Sequence, residues 1–311
     1  MKEYIFGVDL GGTTIKHGIF TGKGELLHKW EIPTDTRDRG SRILGDIAAT
    51  CRETADRKGY PLEAFAGLGI GIPGTVDREG NVYGCVNLGC GYTRVRSVLE
   101  DLLGLPVRVG NDADVAALGE MWQGAGKGCA DMVMFTLGTG VGGGVISGGE
   151  LIRGAHGFGA EIGHMCVCPD ETEHCNCGKR GCLEQYCSAS GIVHQTELAL
   201  SRSDRESILR KIDPLTAKDI FDACKAGDAF AMDRVDRFSR LLALGMSYVA
   251  AVTDPEIFVI GGGVSAAGTI LTEAVGRHYG DFSYGRQKEV RFVLAELGND
   301  AGIYCSAGLF I

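Results

Sequence analysis

The sequence predicts an α/β protein of about two domains, on three observations. Apolar strand-like runs alternate with segments of helical periodicity along the whole chain. A strand–Gly/Thr turn–strand pattern at Ile5–Thr13 returns at Met132–Gly140, roughly 130 residues later, which suggests a duplicated α/β domain. The length of 311 residues holds about two domains at ~150 residues each, with ample material for buried cores.

The elements follow in order. Tyr4–Asp9 reads as a buried strand, and Leu10-Gly11-Gly12-Thr13-Thr14 as a glycine turn. Ile15–Phe20 is a second strand, ending at the hairpin turn Gly22-Lys23-Gly24. Arg42–Arg57 carries apolar residues at helical spacing. Leu68–Ile72 is a short buried strand stopped by Pro73-Gly74. Val98–Leu103 is helical, Val107–Val109 is a strand ending at Asn111-Asp112, and Val115–Trp122 starts a helix. Strands at Met132–Thr136 and Gly144–Ile146 flank the turn Leu137-Gly138-Thr139-Gly140. Leu215–Ala250 is mostly helical. Ile257–Ile260 is a strand feeding Gly261-Gly262-Gly263. A helix at Thr269–Tyr279, a strand at Val290–Leu294 and a helix at Ala301–Phe310 close the chain.

Composition narrows the function. Apolar residues make up 44% and charged residues 23%, as in an ordinary globular protein. The net charge is −9, so the chain lacks the phosphate attraction that drives nucleic-acid binding, and no nucleic-acid partner is expected. Before Asp9, only Tyr4–Val8 is an apolar run, too short for the core of a signal peptide. The longest apolar stretch runs from Leu241 to Val252, short of the ~20 residues a membrane span needs. A cytoplasmic protein with no membrane partner is expected. Glycine is in excess at 49 residues, which points to tight turns or to backbone that approaches a ligand closely.

The glycine turns are candidate phosphate sites. Gly138, Gly140 and Gly143 match G-x-G-x-x-G, but that fingerprint must open a helix, and here Val145-Ile146 reads as a strand. Gly126-Lys127 lacks the remainder of a Walker A loop. Hairpin turns rich in Gly and Thr instead expose N–H groups and hydroxyls that hold anions. Either turn alone reads as an ordinary hairpin. The two together, with Gly261-Gly262-Gly263 as a third, point to a triphosphate clamped between two domains. Asp9, at the end of the first strand, would then orient Mg²⁺.

Six of the 12 cysteines, Cys166, Cys168, Cys175, Cys177, Cys182 and Cys187, crowd one segment. Without an export signal, metal ligation or reduced thiols are expected rather than disulfides. His164 with Cys175, Cys177 and Cys182 has the ligand types and spacing of a closed tetrahedral zinc site, hence a structural one. Cys166, Cys168 and His174 are spare candidates. Cys51, Cys85, Cys90, Cys129, Cys224 and Cys305 are scattered and read as small buried hydrophobes. A zinc knuckle would bring Glu161, His164 and Glu184 together, and such groups suit hydrogen bonds to sugar hydroxyls. Read one by one, they are more often surface groups.

Five motifs occur in a telling order: Asp9-x-Gly11-Gly12-Thr13; Gly71-Ile72-Pro73-Gly74; Asn111-Asp112-Ala113; Leu137 to Gly144; and Glu161-x-Gly163-His164 with Cys175-x-Cys177-Gly178-x-x-Gly181-Cys182-x-Glu184. Together they resemble the ROK family of sugar kinases and repressors, over essentially the whole chain. The resemblance implies the actin-like ATPase (ribonuclease H-like) fold, two α/β domains around a central cleft. It divides the chain into a small domain, 1–114 with the C-terminal helix of about 299–311, and a large domain, 115–298, carrying the zinc knuckle 164–182. It implies a homodimer and zinc held by His164, Cys175, Cys177 and Cys182. It makes Asp112 the catalytic base for a sugar hydroxyl, the 6-hydroxyl, attacking the γ-phosphate. It assigns the sugar to Asn111, Asp112, Glu161, His164 and Glu184, with Gly74 and Asn87 lining the pocket. It assigns ATP and metal to Asp9, Gly11, Gly12, Thr13, Thr14, Thr139, Gly140 and Gly262. One ring nitrogen of His164 could bind zinc while the other faces the sugar.

Three departures qualify the resemblance. The family's repressors carry a helix-turn-helix before the first motif, for which Asp9 leaves no room, so a kinase is expected. Glucokinase-like members show a proline and a tryptophan after the asparagine matching Asn87; here Asn87-Leu88-Gly89-Cys90-Gly91-Tyr92 stands, with Tyr92 in place of the tryptophan. Gly159-Ala160-Glu161 replaces the commoner Ala-Gly-Glu, a change read as minor. The expected activity is ATP-dependent phosphorylation of glucose to glucose 6-phosphate. The alternatives are kinases for N-acetylmannosamine, N-acetylglucosamine, allose or fructose, a polyphosphate donor, a non-catalytic sugar sensor, and an actin-like ATPase without a sugar.

Overall fold

The computed structural model describes residues 2–83, 91–298 and 301–310. The chain divides into two compact units, one of Met1–Gly128, Leu151–Gly159 and Glu296–Ile311, the other of Cys129–Glu150 and Ala160–Ala295.

The first unit holds a five-stranded sheet. Its strands are β1 (Tyr4–Leu10), β2 (Thr14–Thr21), β3 (Leu26–Pro33), β4 (Phe65–Ile72) and β7 (Val107–Asn111), in the order β3-β2-β1-β4-β7. β1, β2 and β3 are antiparallel, while β1, β4 and β7 run parallel. A short ribbon, β5 (Thr75–Val76) with β6 (Val82–Tyr83), follows β4. The helices are the four-residue α1 (Arg37–Gly40), α2 (Ile43–Lys58), α3 (Val95–Leu103), α4 (Asp112–Gln123) and α10 (Ala301–Gly308).

Strand alternation assigns the helices to faces. Phe6, Val8 and Leu10 point toward α2 and α3, joining Ile43, Ile47, Cys51 and Leu99 in one buried cluster. Ile43, Ile47 and Cys51 recur every four residues, so a single stripe of α2 is buried. Each such aliphatic side chain contributes about 1.5–3 kcal/mol by leaving water. Ile5 and Phe20 point to the opposite face, toward Ile303 and Ala307 of α10. That face is shaped by a glycine pair, Gly7 and Gly69, which are register partners on β1 and β4. A β-carbon on Gly7 would lie 2.1 Å from the Ile303 carbonyl oxygen, and one on Gly69 1.8 Å from that of Ser306. The helix therefore lies directly on the strands, and Ser306 Oγ donates to the Val8 carbonyl at 2.6 Å.

Glu120, on α4, is a buried carboxylate at 1% exposure. It accepts backbone N–H groups from Ala125 at 2.8 Å, Glu296 at 3.0 Å and Leu297 at 3.0 Å. Those donors are what make a buried charge tolerable.

The second unit repeats the plan. β8 (Met132–Leu137), β9 (Val141–Ser147), β10 (Glu150–Leu151), β11 (Ile257–Gly261) and β12 (Arg291–Leu294) form a sheet in the order β10-β9-β8-β11-β12. The first three strands of each unit pair as a meander, and the later two add on in parallel. The echo in the sequence is thus an echo in topology. The helices are α5 (Glu184–Cys187), α6 (Ala189–Ser201), α7 (Ala217–Lys225), α8 (Ala229–Thr253) and α9 (Thr269–Phe282). α8 buries Phe238, Leu242, Met246 and Val249 against a cluster that includes Phe135, Phe258 and Leu271.

The structure corrects several elements. β3 was not expected: its alternating exposed Glu31 and half-buried Trp30 and Ile32 mark a half-solvated strand rather than a continuous apolar run. α6 was also missed. α3 begins three residues earlier than expected, at Val95, and α4 at Asp112 rather than Val115. The span 215–250 is two helices, separated at Ala226–Asp228. Among the scattered cysteines, Cys51 and Cys305 are buried, Cys129 and Cys224 are half-buried, and Cys85 and Cys90 lie outside the described residues. No described helix is long and apolar enough to cross a membrane.

Candidate functional site

In the first unit, the strand ends carry the predicted residues. Asp9 sits on β1 with Lys16 and Gly71 as its neighbours on β2 and β4. Burial raises its pKa; Lys16 opposes the rise and Asp112 adds to it. A β-carbon on Gly302 would lie 2.1 Å from Asp9 Oδ2, so α10 makes room for this carboxylate with a glycine. The turn Gly11–Thr14 is closed by Gly11 N–H donating to the Thr14 carbonyl at 3.2 Å and braced by Thr34 Oγ donating to the Gly11 carbonyl at 2.7 Å. Gly12 and Thr13 are exposed.

Asn111 and Asp112 mark the passage from β7 to α4. Asn111 is the N-cap: its backbone is extended and its Oδ1 accepts from Ala113 N–H at 2.9 Å. Its Nδ2 donates to the Gly74 carbonyl at 2.9 Å, which joins the two residues. Asp112 is the first residue of α4, and its Oδ1 also accepts from Ala113 N–H at 2.9 Å. Its side chain is open to solvent yet set in a crowded recess. Desolvation raises its pKa above the usual carboxylate value, against the backbone N–H groups and Asn111, which lower it. A carboxylate that water reaches but solvates poorly suits proton acceptance from a small molecule.

In the second unit, the turn between β8 and β9 carries Thr139 and Gly140. The Gly138 carbonyl accepts from Ala189 N–H at 2.7 Å, the Thr139 carbonyl from Ser190 Oγ at 2.6 Å, and the Gly140 carbonyl from Gly138 N–H at 3.0 Å. Val141 N–H donates to Glu184 Oε2 at 3.0 Å. Gly262, at φ 81°, directly follows β11, and a β-carbon there would lie 2.5 Å from the Leu137 carbonyl oxygen. Gly262 therefore packs on the strand that leads into the turn.

Glu161 is exposed and His164 half-buried, at either end of a single 3₁₀ turn. Ala160, just before them, holds φ at 61°, a left-handed conformation that costs an alanine about 1–2 kcal/mol. The exchange of Gly159 and Ala160 is therefore not minor. Gly159 cannot give its place to alanine either, since a β-carbon there would lie 2.4 Å from the Ile152 carbonyl oxygen.

The ligand atoms of His164, Cys175, Cys177 and Cys182 all lie within 4.8 Å of one another. Cys177 Sγ is 3.7 Å from Cys182 Sγ, and Cys175 Sγ is 3.9 Å from His164 Nδ1. A tetrahedral zinc at ~2.3 Å from each sulfur separates its sulfurs by about 3.8 Å, so this donor set fits a zinc ion. Burial and the neighbouring thiols push Cys182 up to about 12, so this thiol resists ionising unless a cation displaces its proton. Among the described residues, Cys166, Cys168 and His174 stand outside this group; His174 instead bonds the Gly178 carbonyl and Arg180. Cys175 Sγ also lies 3.7 Å from Glu184 Oε1, which places it between His164 and Glu184.

Two sets of predicted residues thus emerge: Asp9, Gly11 to Thr14, Gly74, Asn111 and Asp112 in one unit, and Thr139, Gly140, Glu161, His164, Glu184, Gly262 and the cysteines in the other. Asn87 lies outside the described residues. Ala189 and Ser190 were not singled out in the sequence, although Ser188-Ala189-Ser190 follows directly on the helix that Glu184 begins.

The pattern of the ROK family matches residues 5–311. A glucokinase of Halalkalibacterium halodurans is 41% identical over 97% of this chain and 93% of its own. A ROK hexokinase structure from Thermus thermophilus superposes with a TM-score of 0.84 at 30% identity, covering 98% of this chain and 97% of its own. A ROK glucokinase from Streptomyces griseus, solved with glucose and AMPPNP, gives a TM-score of 0.73 at 33% identity, with 98% of each chain covered. The chain belongs to the ROK family and has its actin-like ATPase fold.

Proposed function

We propose that this chain is an ATP-dependent sugar kinase that phosphorylates the 6-hydroxyl of a hexose, with glucose as the preferred acceptor. The observation that carries the reading is Asp112. It is a carboxylate of raised pKa at the start of α4, beside an asparagine whose amide is already fixed to the Gly74 carbonyl. The relatives' names, glucokinase and ROK hexokinase, support the reaction class.

In this reading, Asp112 accepts the proton of the attacking hydroxyl as the O–P bond forms. The γ-phosphoryl group passes to the sugar oxygen, and ADP leaves with the electrons of the broken bond. Phosphoryl transfer asks the protein mainly for alignment and charge neutralisation. Asn111, Glu161, His164 and Glu184 would orient the sugar, with Gly74 and Asn87 beside it. The turns at Gly11–Thr14 and Thr139–Gly140, with Gly262, would hold the phosphates. Asp9 would hold Mg²⁺, whose charge offsets that of the phosphates. His164, Cys175, Cys177 and Cys182 would hold a structural zinc, which fixes the strand of chain bearing His164 and Glu184.

The test is coupled ADP release with Mg-ATP over glucose, mannose, fructose, allose, N-acetylglucosamine and N-acetylmannosamine. A strong response to glucose is expected. A stronger response to an N-acetyl sugar would move the assignment within the family, and silence with sugar binding intact would favour a sensor.

A further inference from the structure

The turn that would receive the phosphates is built so that its acceptors are hidden. The carbonyls of Gly138, Thr139 and Gly140 are each taken up by an internal donor, namely Ala189 N–H, Ser190 Oγ and Gly138 N–H. Among the described residues, the N–H groups of Thr139 and Gly140 have no internal acceptor, and Thr139 is exposed. A carbonyl oxygen turned toward a polyanion repels it, whereas an amide hydrogen attracts it. Which way the peptide units face is therefore a functional matter.

Ser190 controls one of those units. It does not cap α6, because Ser188 does so: Ser188 Oγ accepts from Gly191 N–H at 2.8 Å. The Ser190 hydroxyl is left to donate to Thr139, at 2.6 Å, and it lies 3.1 Å from Ser188 Oγ. Ser188 Oγ in turn donates to the Glu184 carbonyl at 2.8 Å, and the Glu184 carboxylate receives Val141 N–H. The segment from Glu184 to Ser190 thus grips the turn at Gly138, Thr139 and Val141.

We propose that Ser190 is a positioning residue for the phosphate donor: by holding the Thr139 carbonyl inward, it keeps the 138–141 turn with its N–H groups facing the nucleotide. The inference rests on the reading of that turn as a phosphate site. It extends the nucleotide machinery to a side chain that need not touch the nucleotide.

The test is calorimetric binding of Mg-ADP to the full chain and to Ser190→Ala, Ser190→Thr and Thr139→Val. Losing one hydrogen bond of this kind predicts that Ser190→Ala weakens Mg-ADP binding about fivefold. Glucose affinity and thermal midpoint should stay near the parent's, and Ser190→Thr, which keeps the hydroxyl, should restore binding. A merely structural role in α6 would instead lower the midpoint and leave Mg-ADP affinity unchanged, which overturns the proposal. If Thr139→Val weakens Mg-ADP binding and Ser190→Ala does not, the phosphate turn stands and the role of Ser190 falls. If neither variant changes Mg-ADP binding, the role of Ser190 falls, and the Thr139 hydroxyl takes no part in holding the phosphates.

Discussion

Glu184 occupies the space that a side chain on Gly140 would need: a β-carbon there would lie 2.4 Å from Glu184 Oε2. The same oxygen receives Val141 N–H at 3.0 Å. One carboxylate therefore ties the proposed phosphate turn to the residue expected to hold the sugar. Gly140→Ala should displace the flexible end of Glu184 and break its bond to Val141. The fold should survive at a cost of about 1–3 kcal/mol, because only the far end of a side chain and its one backbone hydrogen bond must give way. Losing a hydrogen bond to a charged group predicts that kcat/KM falls about tenfold or more, for sugar and ATP alike. Unchanged kinetics in Gly140→Ala would show that the contact is idle.

Asp112 predicts a pH profile. A general base works only when deprotonated, and burial raises this carboxyl above its ordinary value of 3.8. Activity should therefore fall as pH drops, with the acid limb of kcat/KM above that value. Asp112→Asn should cost about 10²–10⁴ in kcat while glucose still binds. A variant that retains most of its turnover would remove Asp112 as the base.

Ala160 predicts a gain. Its left-handed backbone is a glycine conformation. Ala160→Gly should stabilise the chain by about 0.5–1 kcal/mol, after the greater freedom of unfolded glycine is subtracted. Ala160→Val should destabilise it and weaken sugar binding, since Glu161 follows directly. Denaturant midpoints and glucose titrations check both. A destabilised Ala160→Gly would contradict the left-handed assignment.

The cysteine group predicts metal content. Purified protein should carry about one zinc per chain. Cys177→Ser should lose it and lower the melting temperature by several degrees, because binding of a structural zinc is also folding free energy. Cys166→Ser should keep the zinc, since Cys166 stands outside the ligand group. Metal analysis of the two variants that gave the opposite result would reassign the ligands.

Much of the fold was legible because strands buried on both faces leave dense apolar runs. Ile5 to Val8 and Ile257 to Ile260 are of this kind. β3 was missed because one of its faces is solvated, so its charged residues interrupt the pattern. Position in space sets His164, Cys175, Cys177 and Cys182 apart as the candidate ligand group, where spacing alone left Cys166, Cys168 and His174 open. The role of Ala160 needs a backbone angle that no residue name reveals. Glu120 is not singled out by the sequence, because its partners Glu296 and Leu297 are far along the chain. Ser190 escaped notice for the same reason: its partner is the carbonyl of Thr139.

The central claim is tested most directly by product analysis. The chain is incubated with Mg-ATP and glucose, and the mixture is followed by phosphorus and carbon NMR. The account predicts ADP and glucose 6-phosphate in equal amounts, with neither formed by Asp112→Asn. ATP left intact, or its phosphate released to water rather than to the 6-oxygen, would contradict it.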